Sequence, residues 1–165
     1  MNNYHDYVIK DGQFIGQFEQ MYRDCDDPWE ASKEDYNASA CSLATKRLIH
    51  SLMPSRLVSL GCGTGRHLDW LQVLPAYGID ISETAVQRAA AVYPHLHISC
   101  DNLPWFIENI HMPFDIYLFR EVVWYILPYW RDMCSSLAIS RPGAWVIIEL
   151  SFYDEQHYGK DYFDG

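Results

Sequence analysis

The 165 residues carry 12 basic and 22 acidic side chains, a formal charge of −10, with 49% hydrophobic and 21% charged residues. That balance fits one folded domain around one core, excludes a disordered chain, and makes a nucleic-acid backbone a poor partner. Five scattered cysteines (Cys25, Cys41, Cys62, Cys100, Cys134) form no CxxC pair, so no disulfide framework and no metal site are expected, and the reading places the chain in the cytoplasm.

Residues 1–35 show no sustained period and read as an arm or lid, with a short helix around Phe14 to Tyr22. Met1 to Tyr7 has neither the basic nor the apolar region of a signal peptide. Within the arm, Tyr22-Arg-Asp-Cys-Asp-Asp-Pro-Trp29 sets a large aromatic inside a polar turn, and aromatic residues reach 15% of the chain, many outside regular strands. The aromatic content points to an aromatic-lined cavity, while Trp29 either joins it or pins the arm onto the core. From Tyr36 to Met53 the residues Cys41, Ala44, Leu48 and Leu52 recur at spacings of three and four, predicting one apolar helix face, and Pro54 ends it.

Leu57 to Leu60 predicts a buried strand that breaks on Gly61, Gly63 and Gly65 and restarts as a helix to about Leu74. Tyr77 to Ile81 is a second strand, Ser82 caps a helix through Ala85, Val86, Ala89 and Ala90, and Leu96 to Ser99 is a third strand. A short helix over Leu103 to Ile110, a strand over Phe114 to Phe119 and a helix from Pro128 to about Ser140 follow. The last helix presents Trp130, Met133, Cys134 and Leu137 on one face, and Ala144 to Leu150 is a fifth, strongly apolar strand. The most apolar stretch, Val122 to Trp130, is too short to cross a membrane and is interrupted by Pro128, so no membrane partner is expected. Residues 36–150 thus read as one α/β unit and 151–165 as a polar, aromatic tail.

Strands alternating with helices predict a mostly parallel sheet with helices on both faces. Ligands of such sheets sit beyond the carboxyl ends of the strands, which selects residues 61–66, 80–82, 101–102 and 120–125. Alternating glycines allow a ligand to approach the backbone, and Asp80, 19 residues after Gly61 at a strand end, is placed to accept the hydroxyls of a ribose. A nucleoside is therefore the expected ligand. A dinucleotide calls for G-x-G-x-x-G, whereas here the third glycine comes one residue early and Arg66 stands in its place. That spacing favours S-adenosylmethionine over a nicotinamide cofactor.

Leu60-Gly-Cys-Gly-Thr-Gly65, Gly78-Ile-Asp-Ile-Ser82, Cys100-Asp-Asn-Leu-Pro104 and Phe114-Asp-Ile-Tyr-Leu-Phe-Arg-Glu-Val-Val-Trp-Tyr-Ile126 together resemble the Rossmann-like (class I) S-adenosylmethionine-dependent methyltransferases over residues 57–150. Asp27-Pro-Trp29, with Tyr36 beyond it, is similar to a bacterial small-molecule branch that includes the nodulation-type N-methyltransferases. The resemblance implies that Gly61, Cys62 and Gly63 approach the methionine portion, Asp80 holds the ribose and Ile81 packs on the adenine. It further implies that Asp101, Asn102 and Leu103 face the adenine amino group, while Arg120 and Glu121 lie under the sulfonium end. Trp29 and Tyr36 then join the cofactor site, Trp124 and Tyr125 the substrate pocket, and no metal is involved.

Two departures stand against the family pattern. Ser59 occupies a position where an acid is common, and the family's last antiparallel strand pair has no counterpart. The expected fold is thus α/β, a three-layer, mostly parallel Rossmann-like methyltransferase sheet without that pair. The fifth strand is then left as an exposed edge, met by truncation, by a homo-oligomer or by a tail that folds back over it. The expected reaction is methyl transfer to a nitrogen or oxygen of a small-molecule acceptor, with S-adenosylhomocysteine as product. His67, His111 and Glu121 are the candidate bases, Glu121 being preferred because His67 sits in the first turn of a helix. The alternatives are a catalytically inert cofactor-binding or scaffolding module and, disfavoured by the glycine spacing, an NAD-dependent oxidoreductase.

Overall fold

A computed structural model describes residues 4–152 and 158–162, with only the backbone given for His5 and Lys160. Its centre is a five-stranded, wholly parallel sheet of β3 (Leu57–Leu60), β4 (Ala76–Asp80), β5 (His97–Cys100), β6 (Ile116–Arg120) and β7 (Trp145–Glu149), in the order β5-β4-β3-β6-β7. Two shorter strands, β1 (Ile9–Lys10) and β2 (Gln13–Phe14), pair antiparallel as a separate hairpin in the arm. Chain order runs outward from β3 to β5 and then returns to β6 on the other side of β3. The carboxyl ends of β3 and β6 therefore flank the point where the winding reverses.

Alternation along the strands divides the core in two. Val58, Leu60, Tyr117 and Phe119 face a cluster completed by α5 (Leu103–Asn109) and α6 (Leu127–Ser140). Leu57, Ile116 and Leu118 face a second cluster, with Ile49 of α2 (Ala40–Leu52) and Leu68 and Leu71 of α3 (Arg66–Leu71). Tyr117, Phe119, Leu57, Leu60 and Ile116 are fully buried. Each side chain of this size contributes about 1.5–3 kcal/mol through burial.

The predicted elements stand within a few residues of their expected bounds, with three exceptions. The helix after the glycine turn ends at Leu71 and not near Leu74, because Gln72 adopts a left-handed φ of 59°. On α2 the buried stripe is Ser42, Thr45 and Ile49, while Cys41, Ala44 and Leu48 face outward. On that inward face the Ser42 hydroxyl donates to the buried Glu149 carboxylate at 2.7 Å, so a polar partner and not an apolar one meets the helix there. In the arm, the structure sets α1 at Phe18–Asp24, later than expected, after the β1–β2 hairpin. Asp11-Gly12, both at positive φ (50° and 74°), form the hairpin's two-residue turn.

The arm packs on α4 (Glu83–Val92) through Val8, Met21, Tyr22 and Ala85. Glu19 of α1 accepts hydrogen bonds from the Ser82 hydroxyl at 2.7 Å and from the Thr84 hydroxyl at 2.8 Å and backbone N–H at 3.2 Å, at the N-terminus of α4. These bonds, that of Ser82 foremost, lower the Glu19 pKa to about 2. Arg88 of α4 donates to the Cys25 and Asp26 carbonyls beyond α1. Among the described residues no strand pairs with the outer edge of β7, where Trp145, Val146 and Ile148 are exposed. Of the tail, residues 153–157 and 163–165 lie outside the described residues, while Tyr158 stacks on Phe14 of the arm with ring centres 6.0 Å apart. No helix among the described residues is long and apolar enough to cross a membrane.

Candidate active site

A cavity of about 720 Å³ opens at the carboxyl ends of β3, β4 and β6 under the arm. Its floor is the glycine loop. The Gly61 and Cys62 N–H groups both donate to the Ile79 carbonyl, at 2.8 and 3.0 Å, tying the loop to β4. Gly61 has a φ of +73°, and a Cβ there would meet Val122 Cγ2 at 2.5 Å; at Gly63 a Cβ would meet the Tyr22 hydroxyl at 2.7 Å. Both positions need glycine for conformation and for space. Ser59 lies buried beneath the loop and lines the cavity. The Cys62 thiol, half-buried in the cavity floor, has its pKa raised well above the ordinary value by desolvation, then by the Asp80 charge, so it stays protonated.

Asp80 is nearly buried, and its two oxygens accept from the Gly63 N–H at 2.7 Å and the Ser82 N–H at 3.0 Å. Burial pushes its pKa up against the pull of those bonds. The carboxylate thus holds the loop in shape while still lining the cavity, and two oxygens with about four lone-pair sites leave capacity for a ligand's hydroxyls. Next to it Ile81 presents an apolar side chain, 54% exposed, at the cavity wall, with Asn102 and Leu103 opposite.

Beyond β6, Arg120 and Glu121 both line the cavity. The Arg120 Nε donates to Glu149 Oε1 at 3.1 Å, its terminal nitrogen to the Tyr36 carbonyl at 3.3 Å, and its guanidinium lies 4.6 Å above the Tyr36 ring. With Ser42 also bonded to Glu149, Arg120 is held in a buried pair rather than on the surface. Glu121 sits at a φ of +54°, a strained conformation for a non-glycine residue, and its carboxylate accepts from the Ser151 N–H and hydroxyl at 3.0 and 2.6 Å.

The N-terminal arm and the segment after β6 supply the rest of the wall. Phe14, Phe18, Tyr22, Trp29 and Tyr36 line the cavity together with Tyr125 and Tyr129. The Trp29 indole N–H donates to the Tyr22 hydroxyl at 2.8 Å, which fixes the tryptophan over the glycine loop. Asp27 receives the Ala31 and Ser32 N–H groups; burial raises its pKa, but these bonds outweigh burial and leave it lowered. His67 also lines the cavity, with Nδ1 2.7 Å from the Asn37 side-chain oxygen. Burial, then the charges of Arg120 and Lys46, push its pKa down to about 3. His67 is therefore a neutral hydrogen-bonding group.

Of the residues expected from sequence, Gly61, Cys62, Gly63, Asp80, Ile81, Asn102, Leu103, Arg120, Glu121, Trp29, Tyr36 and Tyr125 come together around this cavity. Asp101 and Trp124 do not line it. Asp101 accepts the Asn102 N–H at 2.8 Å, a local turn bond. Trp124 is buried in the core, with its indole N–H donating to the Ser151 carbonyl at 3.1 Å. Its apolar body is satisfied by α6 and not by a ligand. Sequence reasoning passed over Phe18 and Tyr22, whose spacing of four on α1 puts both on one helix face, and set His67 aside.

The family model described as a methyltransferase domain matches residues 33–162. No curated protein sequence matches significantly. Among solved structures, the amino pentose methyltransferase CalS10 from Micromonospora echinaspora superposes with a TM-score of 0.62 at 16% identity, over 79% of this chain and 57% of that one. DesVI from Streptomyces venezuelae gives 0.60 at 21% identity, over 82% of this chain and 58% of that one. The N-methyltransferase NodS from Bradyrhizobium japonicum, solved with S-adenosylhomocysteine, gives 0.60 at 18% identity, over 79% and 71%. The chain thus matches little more than half the length of the first two proteins.

Proposed function

The chain belongs to the methyltransferase-domain family, and from that premise we propose that its cavity binds S-adenosyl-L-methionine and directs methyl transfer to a nitrogen or oxygen of a small molecule, leaving S-adenosyl-L-homocysteine. The observation that carries this reading is the glycine loop joined through the Gly63 N–H to Asp80, at the reversal of winding, beneath an aromatic lid. S-adenosylmethionine is named for CalS10, an amino pentose methyltransferase, and S-adenosylhomocysteine for NodS.

In this reading Gly61, Cys62 and Gly63 offer the methionine portion a wall without side-chain obstruction, and Asp80 accepts the ribose hydroxyls. Ile81 and Leu103 sandwich the adenine, with Asn102 at its edge. Trp29, Tyr36 and Arg120 close the sulfonium end, where aromatic faces favour a cation. Bound there, the sulfonium supplies a methyl carbon already activated for displacement. The protein's work is to position the acceptor and exclude water. In this reading Glu121, at the cavity wall beyond β6, receives a proton from the acceptor. The acidic surface disfavours nucleic acid, and the open β7 edge is where a second copy would pair.

A second reading, a cofactor-binding module without turnover, rests on Ser59, which lacks the charge of the acid usual in the family. Transfer of a radiolabelled methyl group to a panel of small amines and phenols separates the two. Labelled product from any acceptor supports the enzyme; tight binding of S-adenosylhomocysteine without any transfer supports the module.

A further inference from the structure

Resting on the methyltransferase reading, we propose that the methyl acceptor is an aliphatic amine that enters as its ammonium, received by the aromatic faces of Trp29 and Tyr125 and by the Glu121 carboxylate. Tyr125 is the meeting point of the wall. It stacks on Phe14 at 6.1 Å, meets Phe18 edge-on at 5.2 Å and lies 6.2 Å from Trp29. These rings come from β2, α1, the turn beyond α1 and the segment after β6, so the wall is built jointly by the arm and the sheet domain. Trp29 is already locked by its bond to Tyr22. A rigid aromatic surface of this kind attracts a cation through the ring faces and gives nothing comparable to a neutral alcohol or an anion.

The charges around the wall agree. Asp27, Asp80 and Glu121 line the cavity against Arg66 and Arg120, and Arg120 is already paired with Glu149. The chain's net charge of −10 draws cations toward the opening. Glu121 is aimed by its two bonds from Ser151 and by its strained backbone, so its direction is set before a ligand arrives.

Base chemistry points the same way. A hydroxyl acceptor calls for a base that takes its proton near neutral pH. His67, the one histidine lining the cavity among the described residues, stays a neutral imidazole down to about pH 3 and is too weak a base for that role. An ammonium needs to lose only one N–H proton to expose its lone pair, and Glu121 accepts it. The freed lone pair then forms the N–C bond while the C–S bond breaks with its electron pair on sulfur. Nitrogen gains the methyl group and positive charge, sulfur becomes a neutral thioether, and a second proton leaves to solvent.

The test is calorimetry on protein saturated with S-adenosylhomocysteine, using four matched probes: cyclohexylamine, cyclohexyltrimethylammonium, cyclohexanol and cyclohexanecarboxylate. The proposal expects both cations to bind at least ten-fold more tightly than the alcohol, and the carboxylate to bind most weakly. Glu121→Gln should weaken cyclohexylamine several-fold and more than the quaternary ion, which has no N–H to donate, with S-adenosylhomocysteine titrated alongside as a folding control. Equal or tighter binding of the alcohol or carboxylate, or binding of none of the four, would overturn the amine assignment. Failure of S-adenosylhomocysteine itself to bind would instead overturn the methyltransferase reading beneath it.

Discussion

His67 carries the clearest pH signature in the molecule. Its pKa falls from 6.5 to about 3 on folding, so the folded state binds fewer protons than the unfolded state between those values. Stability contributed by the neutral imidazole is complete above about pH 6.5 and drains away as pH falls toward 3. By pH 5 the loss from this residue alone is about 2 kcal/mol. Chemical denaturation of wild type and His67→Gln at pH 7 and pH 5 checks it: the variant should lose markedly less stability over that interval, and equal losses would show that His67 is not the sensor. At this scale the sequence was readable where backbone geometry leaves only one residue type, as at Gly61 and Gly63. It was less readable where one side chain suits two environments. Trp124 and Tyr125 are adjacent and equally aromatic, yet the first fills the core and the second faces the cavity. Only the direction of each side chain separates them.

Between elements, the N-terminal arm, the proposed lid, is fastened to the sheet domain by Glu19 at the N-terminus of α4. Glu19→Ala removes acceptors from Ser82 and Thr84 and should cost about 1–2 kcal/mol, comparable to losing a helix cap. The sharper readout is local. Hydrogen exchange and proteolysis across residues 18–36 should accelerate in the variant while β3, β4 and β6 keep their protection; uniform acceleration would mean the lid has no independent opening. Because folding lowers the Glu19 pKa from 4.5 to about 2, this latch is complete above about pH 4.5 and is lost as pH falls toward 2. The central strands were legible as short apolar runs bounded by glycine and proline. The face of α2 was not, because a buried serine answering Glu149 lies on it and breaks the apolar period. The arm's hairpin carried its own signal in Asp11-Gly12, masked by strands of only two residues each.

Across the whole molecule, β7 leaves exposed Val146 and Ile148 beside an edge that no described strand covers. Ile148→Lys should reduce concentration-dependent association in sedimentation velocity with little change in thermal stability, since the side chain is 47% exposed; unchanged association would place any interface elsewhere. Alternating strands and helices predict a parallel sheet with a cavity beyond the carboxyl ends of its strands, which is why the cavity was legible before the arm over it was, while the strand order itself came with the structure. The lid's register against α4 depends on contacts 63 and 65 residues apart, which no local pattern encodes. The central claim is that the glycine loop and Asp80 form one nucleoside site for S-adenosylmethionine. Isothermal titration with S-adenosylhomocysteine and, in parallel, NADH tests it most directly. Saturable binding of S-adenosylhomocysteine alone, weakened by about 2–4 kcal/mol in Asp80→Ala through lost charge-assisted hydrogen bonds, is the predicted result. Binding of NADH without S-adenosylhomocysteine, or an affinity indifferent to Asp80, would contradict it.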